Sequence, residues 1–421
     1  MSAHPQASRF FLASCIALIT TAMSFAIRGE IMGVWTQEFA LSNAEVGWVT
    51  GAAVWGFLLS MVFGGPLCDV LGMGRLLALA FVGHVTGTAL TIFASGFGSL
   101  FAATLLVGVG NGLVEAACNP LIATLYPENK TTKLNLFHVW FPGGIVIGGL
   151  VAFALQEMGF SWQVKIASML IPAAIYGAMF FGMKFPPTER VASGISNADM
   201  FKATLRPLFL FMAFCMLLTA STELSTNQWI AELLSNVGVP GILILVWING
   251  LMAVGRMFAG PVVHRLAPSG MLLFSAFFSG LGLLWLSMAS GMTALAAAAV
   301  FAVGICYFWP TMLGFVAEYV PRSGALGLAI MGGVGSASTA ITQPLIGKMY
   351  DAQLEANNVS GIALSALRGA VPGTPEHDQW LAVQAAAGSG ALRTIAILPA
   401  VLVVLFALLY FTQKGKAPER L

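Results

Sequence analysis

Long apolar runs alternate with short polar breaks along the whole chain. A helix that crosses a membrane needs about 20 mostly apolar residues. Read at that length, the 421-residue sequence contains twelve such runs, which we number spans one to twelve. They are 10–37, 44–69, 74–95, 98–126, 131–156, 162–184, 206–235, 240–266, 270–290, 293–319, 324–349 and 386–412. The pattern predicts an all-α membrane protein with twelve transmembrane helices.

The composition excludes several other classes of protein. Only 9% of the residues are charged, whereas a soluble domain needs roughly 25% to keep its surface wetted. The net charge of +2 does not indicate a nucleic-acid partner, and the five cysteines show no metal-type spacing. The sequence contains no phosphate-binding loop and no HExxH or GxSxG motif. We therefore expect neither ATP-driven transport nor an enzyme, and no cofactor other than a coupling ion, H+ or Na+.

The lysines and arginines predict the orientation in the membrane. With the N-terminus inside, the inner loops hold thirteen of these residues, and the outer side holds only Lys165, Lys348, Arg368 and Arg393. Positive charge concentrates on the cytoplasmic side of membrane proteins. We therefore predict a multi-pass protein of the inner (plasma) membrane with both termini in the cytoplasm.

A polar stretch divides the chain into two halves of six spans each. The predicted domains are a first bundle at 1–184, a cytoplasmic linker at 185–202 and a second bundle at 203–421. The halves repeat: Phe63-Gly-Gly-Pro66 at the end of span two returns as Phe258-Ala-Gly-Pro261 in span eight. Such a repeat predicts two pseudo-symmetric bundles with a site between them near the midplane. An outer loop at 352–385 is either a tolerated insertion or a lid.

Two motifs carry a family resemblance. The stretch from Gly65 to Arg75, GPLCDVLGMGR, resembles the loop signature of the major facilitator superfamily. The segment 112–136, with GLVEAACNP and LNL, resembles spans four and five of the fucose permease branch, and Arg256 and Trp309 lie in supporting motifs. This resemblance implies the major facilitator fold and sugar–ion symport. Gly29 replaces the aspartate of the fucose permease in span one, so fucose itself is not the expected solute.

Charged residues inside the spans are candidates for ion coupling, because such groups are costly in a membrane unless they are paired or face water. Five ionisable residues lie inside predicted spans: Arg28, Glu30, Glu115, Glu223 and Arg256. The predicted ion-coupling residues among them are Glu115, Arg28 and Glu223. The permease resemblance places a coupling glutamate at Glu115; the alternative is a permanent Glu115–Arg28 bridge that only fixes helix packing. Arg28 either balances Glu115 or Glu223 or binds the solute with its planar guanidinium.

Polar and aromatic residues near these charges are candidates for solute binding, since a sugar needs hydrogen-bonding groups and a flat apolar surface. Helical spacing places Glu223, Thr226 and Asn227 on one stripe of span seven. For the tryptophans, a role as interfacial anchors is the alternative. The predicted solute-binding residues are Asn119, Asn135, His138, Trp140, Asn227, Gln228, Trp229 and Trp309.

The superfamily resemblance also implies a latch at the inner helix ends that holds the outward-open state. The predicted gating residues are Gly65, Asp69, Arg75, Arg256 and Arg265. Taken together, the sequence predicts a monomeric secondary transporter in membrane lipid that moves a small polar solute, with a sugar expected, by ion symport and alternating access. The alternative is a drug, lipid or organic-acid transporter, acting as an exporter, of the same superfamily.

Overall fold

The computed structural model describes residues 6–41, 43–234, 238–239 and 241–418. Within these ranges the regular structure is entirely helical. Eleven helices are long and apolar enough to cross a membrane, and a shorter apolar helix, Leu243–Met257, supplies span eight. The first four spans are Ala7–Glu38, Asn43–Leu71, Met73–Ile92 and Phe97–Leu125. The predicted ends of spans seven and eight at 235 and 240 lie outside the described residues.

Several later spans are built from two or three helical pieces. A proline inside a helix removes one backbone hydrogen bond and favours a break nearby. The helical hydrogen bonds of span five are interrupted just before Pro142 and those of span ten just before Pro310, while Val139 and Tyr307 keep helical backbone angles. Span five consists of Lys130–His138 and Trp140–Glu157, and span six of Trp162–Ala167 and Leu170–Phe180. Span seven consists of Pro207–Ala220, Ser221–Ser225 and Thr226–Leu233. Span ten consists of Met292–Ile305 and Phe308–Tyr319.

Spans eight and nine follow each other almost without a loop. Span eight is Gly241–Met257, and the next helix is Ala259–Leu286. Its backbone turns sharply at Ala267, with φ 56° and ψ 165°, just before Pro268. Residues 259–266 therefore complete span eight, and span nine proper begins at Pro268.

The predicted outer loop at 352–385 is mostly helical, which corrects the sequence-based boundaries. Span eleven is Gly324–Asn357, and span twelve consists of Pro375–Ile395 and Ile397–Gln413. Only about seventeen residues separate spans eleven and twelve, and they include a short helix, Leu364–Arg368. Hydropathy ends a span where polar residues begin, but helix-forming residues such as Ala, Gln and Glu continue the helix past that point.

The halves meet where small residues let helix backbones approach. Gly65 of span two lies against Ala329 of span eleven, so that a side chain at Gly65 would collide with the Ala329 methyl group. Gly314 of span ten lies equally close to Thr131 of span five. The halves therefore meet along spans two and eleven and also along spans five, eight and ten, where the candidate site lies.

Candidate solute and ion-coupling site

Three side chains of the first half form a buried hydrogen-bonded group. Nδ2 of Asn119 donates to Oε2 of Glu115 over 2.7 Å, one helical turn away in span four. Nε2 of His138, in span five, donates to Oδ1 of Asn119 over 3.1 Å. The same His138 nitrogen lies 3.8 Å from Oε2 of Glu115. Glu115 is 2% exposed, so the nearest partners of its carboxylate are the amide of Asn119 and the imidazole of His138 inside the protein.

Arg256 of span eight joins this group to the second half. Its Nη1 donates to the backbone oxygen of His138 over 2.9 Å. Its Nε donates to the backbone oxygen of Cys306 over 2.6 Å, and its Nη2 donates to Oε1 of Glu223 over 2.7 Å. The planar guanidinium thus binds spans five, ten and seven at once, an arrangement that suits arginine and not lysine.

Two prolines make this arginine site possible. In a helix, the carbonyl of a residue accepts from the N–H four positions later. Pro142 stands four residues after His138, and Pro310 stands four residues after Cys306. Proline has no N–H, so both carbonyls lack their helical partner and accept from Arg256 instead.

Glu223 lies in an irregular turn of span seven. Residues Ser221–Ser225 form a π-helix turn between two α-helical pieces, a feature that often occurs at functional sites. Besides the Arg256 bond, Oε2 of Glu223 accepts from the backbone N–H of Trp309 over 3.3 Å. Glu223 is also 2% exposed, and Arg256 balances its charge.

Arg256 was predicted as a gating residue near an inner helix end, and the structure places it differently. It is 2% exposed and belongs to the central group. The span ends at 266 as predicted, about 15 Å beyond Arg256 at 1.5 Å per residue. The sequence did not indicate that Glu223 and two backbone carbonyls surround the guanidinium at that depth.

Arg28 also differs from its predicted environment. Its Nε donates to the backbone oxygen of Ser24 over 2.8 Å, and its Nη2 donates to Oγ of Ser24 over 2.9 Å. Among the described residues it forms a salt bridge neither with Glu115 nor with Glu223. The guanidinium points among spans three, four and six of the first half instead of into the space between the halves. The structural Glu115–Arg28 bridge is therefore not formed.

The predicted solute-binding residues fall into three places. Asn119 and His138 belong to the central group, and Nδ2 of Asn135 donates across the halves to Oγ1 of Thr311 over 3.2 Å. Asn227 pairs with Asn249 of span eight, seven residues before Arg256, so span seven presents both Glu223 and Asn227 to one face of span eight.

The other predicted solute-binding residues lie towards span eleven or the surface. Trp309 packs on Gly335 and Trp229 packs on Gly347, while Gln228 is exposed. Trp140 is 36% exposed.

At the predicted cytoplasmic end, Asp69 binds the linker. Nε of Arg190 donates to Oδ2 of Asp69 over 2.8 Å, and Oγ1 of Thr188 donates to Oδ1 over 2.5 Å. The Arg190 side chain also packs against Gly324, at the start of span eleven. Arg75 and Arg265, both predicted as gating residues, are exposed.

Two adjacent contacts close this end between the halves. Nζ of Lys130 donates to the backbone oxygen of Ala317 in span ten over 3.1 Å, and to Glu189 of the linker over 2.6 Å. The backbone N–H and the hydroxyl of Thr131 both donate to Oε1 of Glu318, over 2.9 and 2.7 Å. These contacts, to which Asp69 of the predicted gating residues contributes, extend from span two through the linker to spans ten and eleven.

Sequence reasoning missed Pro142, Cys306 and Arg190. The two proline spacings, HVWFP and CYFWP, are visible in the sequence and could have indicated free carbonyls. The role of Arg190 had no such signal, because a charged residue in a polar linker is ordinarily solvated.

Comparison with known proteins identifies the class. The family sequence model named Major Facilitator Superfamily matches residues 10–343 of this chain. The chain belongs to this superfamily. It is a multi-pass membrane transporter and not an enzyme.

Particular relatives differ in the solutes that their names give. The chain is 26% identical over 352 residues to the gallate transporter of Pseudomonas putida, covering 74% of this chain and 78% of that protein. It is 25% identical to myo-inositol transporter 1 of Candida albicans, but over only 39% of this chain and 30% of that protein's length. A structure of the E. coli fucose:proton symporter FucP superimposes with a TM-score of 0.70 at 15% identity, covering 94% of this chain and 98% of that chain.

Proposed function

We propose that this protein is a proton-coupled symporter of a small, neutral, hydroxyl-rich solute, a sugar or polyol, which works by alternating access. The observation that carries the proposal is the buried chain of groups from Glu115 through Asn119, His138 and Arg256 to Glu223. This chain connects the two halves of a transporter at the place where a midplane site is expected.

The charges of this group favour a neutral solute. Arg256 is matched by Glu223 at 2.7 Å, which leaves the negative charge of Glu115 beside the neutral amide of Asn119. With a neutral imidazole at His138, one proton on Glu115 makes the whole group neutral. A neutral solute can then be carried with that proton without leaving a buried charge unbalanced.

The partners of Glu115 favour a proton over Na+. A sodium site needs several oxygen ligands around the ion, as hard cations do in general. The partners near Oε2 of Glu115 are nitrogens, Nδ2 of Asn119 at 2.7 Å and Nε2 of His138 at 3.8 Å. Such an environment suits a carboxyl that gains and loses a proton as access to it alternates.

The comparisons support two different classes of solute. The fold likeness to the fucose:proton symporter and the partial likeness to the inositol transporter favour sugars or polyols. The longer match to the gallate transporter favours an organic acid as the second candidate. An acid would bind Arg256 after Glu223 had released it.

The test is uptake into proteoliposomes that contain the purified protein. Labelled hexoses, inositols, amino sugars and aromatic acids are offered under an imposed inward proton gradient, with and without sodium. The proposal expects concentrative uptake of a neutral solute that an uncoupler abolishes and that does not require sodium. Uptake of aromatic acids alone would favour the second candidate, and sodium-dependent uptake would contradict proton coupling.

A further inference from the structure

A small cavity lies inside the first half, behind the space between the halves. It has a volume of about 10 Å3 and is lined by spans one, three, four and six. Apart from Arg28, its lining consists of threonines and apolar side chains: Thr88, Thr91, Thr104, Val107, Ile166 and Met169. The cavity therefore has one cationic wall and no acidic one among the described residues.

A hydrogen-bonded network fixes the guanidinium of Arg28 at this wall. Oγ of Ser24 accepts from Nη2 of Arg28 and from Nδ2 of Asn111, both over 2.9 Å, and donates to the backbone oxygen of Thr21 over 2.7 Å. His84 in turn holds Oδ1 of Asn111 over 2.9 Å. Ser24 has no capacity left, so it cannot satisfy the remaining nitrogen of Arg28, Nη1.

Two polar atoms that border the cavity are left without a partner. Nη1 of Arg28 and Oγ1 of Thr104 are both buried, and neither is hydrogen bonded to any described residue. The nearby Glu30 is bound to Lys165 at 3.0 Å and does not compensate Arg28. A buried charge of this kind is costly unless an opposite charge and hydrogen bonds accompany it.

We propose that this cavity binds a small inorganic anion, a halide such as chloride, between Nη1 of Arg28 and the hydroxyl of Thr104. Both groups are donors, and the threonine methyl groups and apolar side chains complete a shell that suits a weakly hydrated anion. A water molecule would satisfy the hydrogen bonds but would leave the charge of Arg28 uncompensated. The site lies outside the proposed solute site, and the proposal does not depend on the identity of the solute.

The experiment measures thermal unfolding of the purified full-length protein in detergent. Sodium chloride replaces sodium gluconate at constant ionic strength, and the apparent Tm is followed as chloride rises. A ligand that binds only the folded state raises the apparent Tm, and we expect a saturable rise of about 2–4 °C. Thr104→Val, which keeps the shape of the side chain, and Arg28→Gln should each abolish the rise.

The matched control is Thr86→Val on span three. The Thr86 hydroxyl is on the exposed side and donates to the backbone oxygen of Val82, so this variant should respond to chloride as the natural protein does. An apparent Tm that does not change with chloride would overturn the proposal in favour of water. A full chloride response in Thr104→Val would overturn it as well, and this variant remains informative if Arg28→Gln does not fold.

Discussion

At the scale of single residues, Arg256 has the largest structural role in the candidate site. One guanidinium binds a carboxylate of span seven and two backbone oxygens, one in each half. Because the three acceptors point at it from different directions, both its charge and its planar shape matter. Removing only one member of such a buried pair leaves the other charge without compensation.

We therefore predict a strong coupling between Arg256 and Glu223. Arg256→Gln should lower the free energy of unfolding by about 3–5 kcal/mol, and Glu223→Gln added to it should recover a large part of that loss. Thermal unfolding in detergent gives the stability of the natural protein, the two single variants and the double variant, which together form a double-mutant cycle. Arg265→Gln is the matched control, since Arg265 is exposed, and it should change little. Losses that simply add in the double variant would contradict the pairing.

At the scale of elements, the breaks in spans five and ten supply the acceptors for Arg256. Pro310 has no N–H, so the Cys306 carbonyl cannot accept the helical hydrogen bond that a residue four positions later would donate. A residue with an N–H at that position can close this bond and compete with Nε of Arg256.

We predict that Pro310→Ala lowers the uptake rate about tenfold, because loss of one positioned hydrogen bond misplaces the arginine. Proteoliposome uptake measures this effect, with thermal unfolding as the check of folding. Pro344→Ala is the matched control, because Pro344 lies inside the helix of span eleven with an exposed side chain. An equal effect of the two substitutions would show that the freed carbonyl has no special role.

The linker is the second element with a specific role, since Arg190 binds Asp69 at 2.8 Å and packs on span eleven. Asp69→Asn and Arg190→Gln should each raise the fraction of molecules that are open at the predicted cytoplasmic end, and the two increases should be equal. The double variant should do no more than either, because both remove one ion pair. Distances between spin labels at the ends of spans four and ten measure the populations. Lys202→Gln, in an exposed part of the linker, should have no effect, and an additive double variant would contradict the latch.

At the scale of the whole molecule, the sequence predicted the fold well because hydropathy at span length is a strong signal. Glu115 with Asn119, and His138 near them, were also predictable from a motif and from helical spacing. The direction of Arg28 was not, because a residue number places a side chain on a helix but does not say which neighbours enclose it. The surroundings of Arg256 were not predictable either, because its acceptors come from spans five, seven and ten, which are distant in the sequence. The outer loop was predicted too long because the helices of spans eleven and twelve continue beyond their apolar parts.

The central claim is that Glu115 carries the coupled proton between the two sides of the membrane. The most direct test compares the natural protein with Glu115→Gln in proteoliposomes, once the solute panel has identified the cargo. Glu30→Gln is the matched control, because Glu30 is partly exposed and paired with Lys165. We predict that Glu115→Gln abolishes uphill uptake driven by a pH gradient, while solute exchange stays within about threefold of the natural rate, as expected when the protonatable group alone is removed. Uphill accumulation that persists unchanged in Glu115→Gln would contradict the account.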